Sequence, residues 1–186
     1  DEKPYSKFWL HNGMLRLGQE KMSKSLGNII SISEALNKFS PDAIRLFFLT
    51  SHYRDPITYS EKNVNSQERA LERLINASQL DPRGSSEINF NTDSYIEQFN
   101  AAMDDDLNTP RALSVLFNIA KDINRNQLIY KTLEPLQSTL KMLSSMLGLS
   151  LNKRGITQTD DSSEDLINLL IEIRSDMRKS KQFESA

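Results

Sequence analysis

The six glycines of this 186-residue chain fall between segments whose apolar residues repeat at helical spacing. They are Gly13, Gly18, Gly27, Gly84, Gly148 and Gly155. Glycine in such places ends helices and shapes loops, whereas a β-sandwich needs many short strands with regularly spaced turns. The pattern therefore predicts a mainly α-helical protein. The one strand region it allows is the segment at residues 8–17, which would lead as a hairpin into a lysine-rich loop.

Helix start signals support this fold class. Ser31 with Glu34 predicts a capping box for a short helix, and Ser40 followed by Pro41 predicts the start of the next. The residues after Pro41 are apolar on nearly every side, so this second helix should be buried on most of its faces.

Further helix start signals occur between residues 60 and 110. Ser60, Asp93 and the Asn-Thr-Pro run at 108–110 each predict the N-terminus of a further helix. A leucine-rich helix follows and should stop at Gly148.

Breaker-rich and polar stretches divide the chain into regions. Residues 1–80 form the first region, and the Asp-Pro-Arg-Gly-Ser-Ser cluster begins a linker at 81–92. A helical bundle is predicted at 93–150, a polar linker at 151–163 and a C-terminal helix at 164–186.

Composition excludes several classes of protein. The formal net charge is -2 with 26% charged residues, so the strong basic excess of a dedicated nucleic-acid binder is absent. The absence of cysteine excludes disulfides and any thiolate zinc site within this sequence. No apolar run approaches the ~20 residues that a membrane span needs, and no signal-peptide pattern opens the chain. We expect a cytoplasmic protein with no membrane partner.

The run Lys21-Met22-Ser23-Lys24-Ser25, followed by Leu-Gly-Asn, has the chemistry to grip a polyphosphate. Lys21 and Lys24 supply point charges, and Ser23 and Ser25 can donate hydrogen bonds to non-bridging oxygens. The residues alone leave a second interpretation open, a solvated surface loop whose lysines meet no ligand.

Three adjacent carboxylates at 104–106 suggest two roles. They have the ligand type that Mg²⁺ or Ca²⁺ prefers. They also precede a helix start, where acidic groups favour the positive end of the helix dipole and can pair with Arg111. We favour the structural role and predict no metal site.

His52, Tyr53 and Arg54 would form a catalytic trio only with a nucleophile that the sequence does not reveal, so a packing or supporting role is favoured. Trp9 is predicted to lie in the core or in a contact between domains, and His11 to pack beside it.

Arg69 and Arg73 lie one turn apart on a predicted helix and could meet phosphates. Glu68 and Glu72 are close enough in sequence to neutralise them, which favours a solvated face.

Several motifs, in the same order, resemble cysteinyl-tRNA synthetases, which are class I aminoacyl-tRNA synthetases. The resemblance runs from about residue 8 to residue 186. Besides the lysine run, the motifs are Phe-Trp-Leu-His-Asn-Gly-Met at 8–14, Asp-Ala-Ile-Arg-Leu-Phe-Phe-Leu at 42–49, His-Tyr-Arg at 52–54, Tyr-Ser-Glu at 59–61 and Ala-Met-Asp-Asp-Asp-Leu-Asn-Thr-Pro at 102–110.

The resemblance implies a fold: a short β-containing region with the KMSKS loop and stem-contact helices, then an α-helical bundle of the DALR type that binds tRNA. It implies that Lys21 and Lys24 are catalytic and contact ATP, which arrives with Mg²⁺, and that Ser23 and Ser25 also lie at the ATP site. Arg54, together with the pair on the predicted helix (Arg69 and Arg73), would contact tRNA.

The resemblance also implies partners and absences. The full enzyme would activate cysteine with ATP and transfer it to tRNA(Cys). Family members carry a Rossmann half with a His-Ile-Gly-His signature and a zinc ion, and neither is found in this sequence. The chain would then be a C-terminal part that is inactive by itself.

Two alternatives stay open at this point. One is part of a related ligase that joins cysteine to an amino sugar in thiol biosynthesis. The other is a non-catalytic helical module that binds tRNA or a protein.

Overall fold

A computed structural model of the chain describes residues 5–18, 20–21, 30–87 and 90–152. Those up to Leu151 belong to one unit. Most of the predicted linker at 151–163 and the whole predicted helix at 164–186 lie outside the described residues.

Six helices and three short strands make up the described part of the chain, so the predicted mainly α-helical fold class is confirmed. In chain order they are β1 (Leu15–Leu17), β2 (Glu20–Lys21), α1 (Ile32–Lys38), α2 (Pro41–Leu49), β3 (Ile57–Tyr59), α3 (Glu61–Ser78), α4 (Asp93–Asp104), α5 (Thr109–Asn126) and α6 (Glu134–Met146).

The helices begin largely where local chemistry predicts. Ser31 and Glu34 form the complete capping box of α1. The Ser40 hydroxyl accepts the Ala43 N–H at 3.1 Å to cap α2. Ser60 caps α3 in the same way. These side chains satisfy backbone donors that the first turn of a helix leaves without partners.

The later helix ends follow the same rules in part, since neither α4 nor α6 has a side-chain hydrogen bond at its N-cap. Asn108 caps α5, and α6 ends just before Gly148. The prediction that Asp93 caps α4 was wrong, because the cap is Thr92, which makes no side-chain hydrogen bond there. The Asn91 side chain accepts the Asp93 N–H at 2.8 Å, so Asp93 enters the helix as its first residue. Its carboxylate there favours the positive end of the helix dipole.

The three strands form one sheet in the order β2-β1-β3. Strand β1 lies within the predicted strand region at residues 8–17, but β2 lies beyond it, at the first residue of the lysine run. The prediction of a single strand region was also wrong. Strand β3 pairs in parallel with β1, with Leu15 opposite Ile57 and Leu17 opposite Tyr59. Three residues are too few to show the alternation that marks a strand in sequence.

Most buried apolar residues form a single helical core. Residues from α2 and α3, such as Leu46 and Leu74, share it with residues from α5 and α6, such as Leu116 and Leu140. The core therefore contains residues from both sides of the predicted linker at 81–92.

A smaller apolar cluster lies at the sheet and consists of Phe39, Phe47, Tyr59 and Val64. Helix α2 contributes to both groups of buried residues, but Phe48 on the same helix is 47% exposed. The prediction that α2 is buried on most sides therefore fails at that residue.

The segment after α3 runs beside the loop that follows α5. Ser86 donates its N–H to the Ile129 carbonyl at 3.0 Å, and its own carbonyl accepts the Lys131 N–H at 3.0 Å. No helix in the described ranges is both long and apolar enough to cross a bilayer.

Candidate functional site

The β1–β2 hairpin carries the first residue of the lysine run. Arg16 pairs with Lys21 and Leu17 with Glu20, and Gly18 takes a positive φ of 62° in the turn between them. That conformation is one that glycine adopts without a steric penalty. The Lys21 side chain, together with Ser23, Lys24 and Ser25, lies outside the described residues.

Strand β1 is aligned by the turn that precedes β3. The Gly13 N–H donates to the Tyr53 carbonyl at 2.7 Å, and the Ile57 N–H donates to the Met14 carbonyl at 3.0 Å. A Cβ atom on Gly13 would lie only 2.1 Å from the Asp55 carbonyl oxygen, so the close approach requires glycine. Sequence reasoning had placed this glycine only between segments and missed its role.

Asp106, in the turn between α4 and α5, gathers the three residues His52, Tyr53 and Arg54. Its Oδ2 accepts from Arg54 Nε at 2.6 Å, while its Oδ1 accepts from Arg54 Nη2 at 3.0 Å and from the Tyr53 hydroxyl at 2.7 Å. His52 Nε2 lies 2.9 Å from the Asp106 carbonyl oxygen. We call these four residues the Asp106 cluster.

The hydrogen bonds within this cluster shift the pKa values of its members toward the charged forms of Asp106 and Arg54 and the neutral form of Tyr53. The hydrogen bonds from Arg54 first, and then from Tyr53, lower the pKa of Asp106 to about 2. The same contacts raise the pKa of Tyr53 and the pKa of Arg54. Asp106 is therefore a carboxylate at neutral pH, held in the two-pronged geometry that arginine offers to an acid.

The acidic cluster at 104–106 divides its contacts between two arginines. The predicted contact with Arg111 is present, at 3.8 Å between Arg111 Nη1 and Asp105 Oδ2. The pairing of Asp106 with Arg54 was missed, although the opposite charges of the His-Tyr-Arg and Asp-Asp-Asp runs were a usable signal. Among the described residues, no group of three or more acidic or histidine side chains is placed to hold a metal.

Helix α3 separates its charges onto two faces. Lys62, Arg69 and Arg73 recur at i, i+7 and i+11, share one face with Ser66 and are all exposed. We call this set the basic face of α3. The Arg73 guanidinium also lies 5.5 Å from the centroid of the Phe117 ring.

Two of the three glutamates of α3 contact residues outside this helix. Glu68 accepts the Ser40 N–H at 2.6 Å and the Ser40 hydroxyl at 2.9 Å, which ties it to the start of α2. Glu61 pairs with Lys38 of α1 at 2.5 Å. Glu68 therefore makes no direct ion pair with the neighbouring arginines, and the prediction that Glu68 and Glu72 neutralise them stays a prediction.

An open depression of about 270 Å³ adjoins the basic face of α3. It is lined by hydroxyl and amide side chains with three apolar residues and no charged group. The lining residues are Phe47, Thr50, Ser51, Pro56, Ile57, Thr58, Asn63, Ser66 and Gln67.

The aromatic segment at the start of the described chain is on the surface. Trp9 is 68% exposed and stacks on Tyr5 at 6.3 Å between ring centroids. His11 is exposed as well. A core position for Trp9 and a packing role for His11 were therefore wrong predictions, and no described element covers this segment.

Comparison with known proteins places this chain in a family. Residues 1–69 match the family described as tRNA synthetases class I (C) catalytic domain, and residues 98–152 match the DALR domain. The chain therefore combines sequence of a class I aminoacyl-tRNA synthetase catalytic domain with a DALR domain.

Individual relatives indicate which class I synthetase the chain is similar to. The chain is 44% identical over 186 residues to the cysteine–tRNA ligase of Dehalococcoides mccartyi strain 195, covering 99% of this chain and 40% of the relative. It is 41% identical over 186 residues to that of Histophilus somni strain 2336, again covering 40% of the relative. The chain belongs to the cysteine–tRNA ligase family and spans about 40% of the length of these relatives.

A solved structure shares the fold. It is a chain from the ternary complex of Agrobacterium radiobacter K84 agnB2 LeuRS, tRNA and LeuAMS, with a TM-score of 0.53 and 20% identity. The match covers 75% of this chain and 20% of that chain.

Proposed function

We propose that this chain supplies two parts of a cytoplasmic enzyme that activates cysteine with ATP and transfers it to tRNA(Cys). The first part is the ATP-phosphate loop, and the second is a helical surface for the tRNA. The observation that carries the proposal is the β1–β2 hairpin, which lies in the stretch matching the class I catalytic domain and leads directly into the lysine run.

The lysine run would act on the leaving group of the first step. When the cysteine carboxylate attacks the α-phosphorus of ATP, negative charge builds on the departing pyrophosphate. Ammonium groups from Lys21 and Lys24 neutralise that charge, and Ser23 and Ser25 donate hydrogen bonds to phosphate oxygens. Mg²⁺ enters with ATP as part of the substrate.

No zinc site is found among the residues that the structure describes. There is no cysteine, and the described part contains no cluster of three potential ligands. We propose that a zinc ion that reads the cysteine thiol is held by residues other than those of this chain.

Cysteine-dependent ATP–pyrophosphate exchange tests the activation step in the full-length product of the gene. Replacing Lys21 and Lys24 by alanine should lower kcat/KM by on the order of 10²-fold or more, because charge stabilisation at the leaving group is lost. Lys141→Ala, which removes an exposed lysine from α6, is the matched control and should exchange normally. Normal exchange by the double variant would refute the proposal.

The isolated 186-residue chain gives a second test of the same proposal. We expect it to show no cysteine-dependent exchange, because an adenosine pocket and a cysteine pocket lie outside the parts assigned to it. Cysteine-dependent turnover by this chain alone would contradict the assignment of the adenosine and cysteine pockets to residues outside it.

The tRNA surface is proposed on the basic face of α3 and the depression beside it. Arg69 and Arg73 offer cations to phosphates, and the hydroxyl and amide groups of the depression suit ribose hydroxyls in an RNA minor groove. Arg54 has its guanidinium bound to Asp106, so it contributes less to this surface than Arg69 and Arg73.

Binding of tRNA(Cys) measured against salt concentration tests this surface. Each of Arg69→Ala and Arg73→Ala should reduce the slope of log K against log salt by about 1, as expected when one phosphate contact is lost. Lys121→Ala on α5 is the control of equal charge change. Slopes unchanged in both arginine variants would exclude this face as the tRNA contact.

A further inference from the structure

A continuous set of contacts joins the turn between α4 and α5 to the strand that leads into the lysine run. Asp106 binds Tyr53 and Arg54 through side chains. The Tyr53 carbonyl then accepts from Gly13, two residues before β1 begins. Each link is a direct hydrogen bond, and the last one lies beside the β1–β3 pairing.

We propose that Asp106 is a positioning residue for amino-acid activation: from the α4–α5 turn it fixes the turn at 52–57, against which β1 and the lysine hairpin are aligned. This inference rests on the function proposed above for Lys21 and Lys24. Asp106 contacts neither substrate in this account and acts through the hairpin.

The turn that carries Asp106 is suited to serve as a fixed reference. Asp106 and Leu107 have positive φ angles of 53° and 56°. Aspartate tolerates this conformation, whereas leucine rarely adopts it unless its surroundings impose it. The Leu107 N–H bonds the Met103 carbonyl at 3.1 Å, and the Asn108 N–H bonds the Ala102 carbonyl at 3.0 Å. Both helices therefore hold the turn, because Asn108 is also the cap of α5.

The hairpin, in contrast, has little apolar anchoring of its own. Leu15 and Leu17 are only partly buried against the small cluster at the sheet. Directional hydrogen bonds from the 52–57 turn must therefore set where β1 lies. A misplacement of about 1 Å in a catalytic group can lower a rate by about 10²-fold, so this alignment bears on activity.

The test compares Asp106→Asn with Asp105→Asn in ATP–pyrophosphate exchange by the full-length gene product. Asparagine tolerates positive φ, so the turn should persist, while the charge and the two-pronged acceptor are lost. We expect kcat to fall roughly tenfold to a hundredfold in Asp106→Asn with KM for cysteine unchanged. Asp105→Asn, which removes the same charge from the same turn, should match the wild type.

A structural readout accompanies the kinetic one. In the 186-residue chain, amide hydrogen exchange at Gly13 and Ile57 should accelerate in Asp106→Asn and not in Asp105→Asn, with the α5 amides unchanged in both. If Asp106→Asn does not fold, Arg54→Lys replaces it, because lysine cannot make the two-pronged contact.

The outcomes separate this inference from the proposal on which it rests. If the lysine variants lose exchange and Asp106→Asn keeps its kcat, only the positioning role is refuted. If the lysine variants keep exchange, the function of the loop is refuted, and a loss in Asp106→Asn would then contradict action through the hairpin as well. Equal effects of Asp105→Asn and Asp106→Asn would also overturn the inference.

Discussion

The helical core and the sheet end of this molecule are held together by different forces. Within the described residues, the core has 21 buried residues, whereas the cluster at the sheet has four. A fully buried leucine or isoleucine contributes roughly 1.5–3 kcal/mol, so burial stabilises the helical part strongly. The sheet end has less burial and depends more on directional contacts: the pairing of β1 with β3, the backbone bonds of Gly13 and Ile57, and the Asp106 cluster.

The two kinds of contact have different effects: apolar burial mainly stabilises the fold, whereas directional hydrogen bonds mainly fix where a segment lies. Apolar burial is non-directional and tolerates small shifts, whereas a two-pronged ion pair and a backbone bond of 2.7 Å define position closely. A region that positions a loop for catalysis, the role proposed for the lysine run, benefits from the second kind of contact. Substitutions at one residue of each kind test whether the two regions differ in this way.

The largest effect is expected from the helical core. Leu116 and Val64 are both fully buried, one in each cluster. Leu116→Ala should lower the free energy of unfolding by about 2–5 kcal/mol through lost burial and a cavity. Val64→Ala should lower it by about 2 kcal/mol, from roughly 0.8 kcal/mol for each carbon removed plus a small cavity. Urea denaturation measures both, and a larger loss in Val64→Ala would reverse the ranking of the two clusters.

A smaller effect is expected from the close contact at the sheet end. In Gly13→Ala the new Cβ would meet the Asp55 carbonyl oxygen at 2.1 Å, so the backbone must move. We expect a loss of about 1–3 kcal/mol, as for other overpacked sites, with faster amide exchange at Ile57. Gly18→Ala is the control, since its Cβ would meet no atom within 4 Å and only the positive φ is disfavoured. Slow exchange at Ile57 in Gly13→Ala would show that the close approach is not needed.

The smallest effect is expected from titration of Asp106, which is exposed to solvent screening. Its pKa is lowered in the folded state from the ordinary 3.8 to about 2, so the ionised form stabilises the fold. That contribution is fully present above pH 3.8 and is lost as the pH falls through about 2.

The acid-unfolding curves of the wild type and Asp106→Asn test this. Their difference in stability should be constant near neutral pH and shrink as the solution is acidified through that window. The other charged or titratable groups at the cluster are His52, Tyr53 and Arg54, joined by Asp105 and Arg111 in the adjoining turn. A difference that changes instead near pH 6.5 would assign the effect to histidine, whose unperturbed pKa lies there.

Local features of the fold were predictable from sequence, because helix caps depend on residues three apart. Ser31, Ser40 and Asn108 each satisfy a nearby backbone donor, and the identity of these residues is sufficient to expect it. Strand β3 was not predictable, since its three residues become a strand only by pairing with a distant partner.

In the candidate site, too, local features were predictable from sequence and contacts between distant residues were not. The charges and hydroxyls of the lysine run are visible in its residues, and the family resemblance follows from several motifs in order. The contact between Arg54 and Asp106 joins residues 52 positions apart, and the Gly13 contact depends on where the 52–57 turn lies. Both arise from the three-dimensional path of the chain, which local composition does not encode.

The two faces of α3 have a consequence for how a polyanion would arrive. Helix α3 carries its cations on one face and its carboxylates, Glu61, Glu68 and Glu72, on another. These separated charges create a field with a direction, although the whole chain carries a net charge of only -2. Such a field turns an approaching strand of phosphates before contact and raises the rate of correctly oriented encounters. It acts within about 8–10 Å at physiological salt, so orientation would be selected only in the final approach.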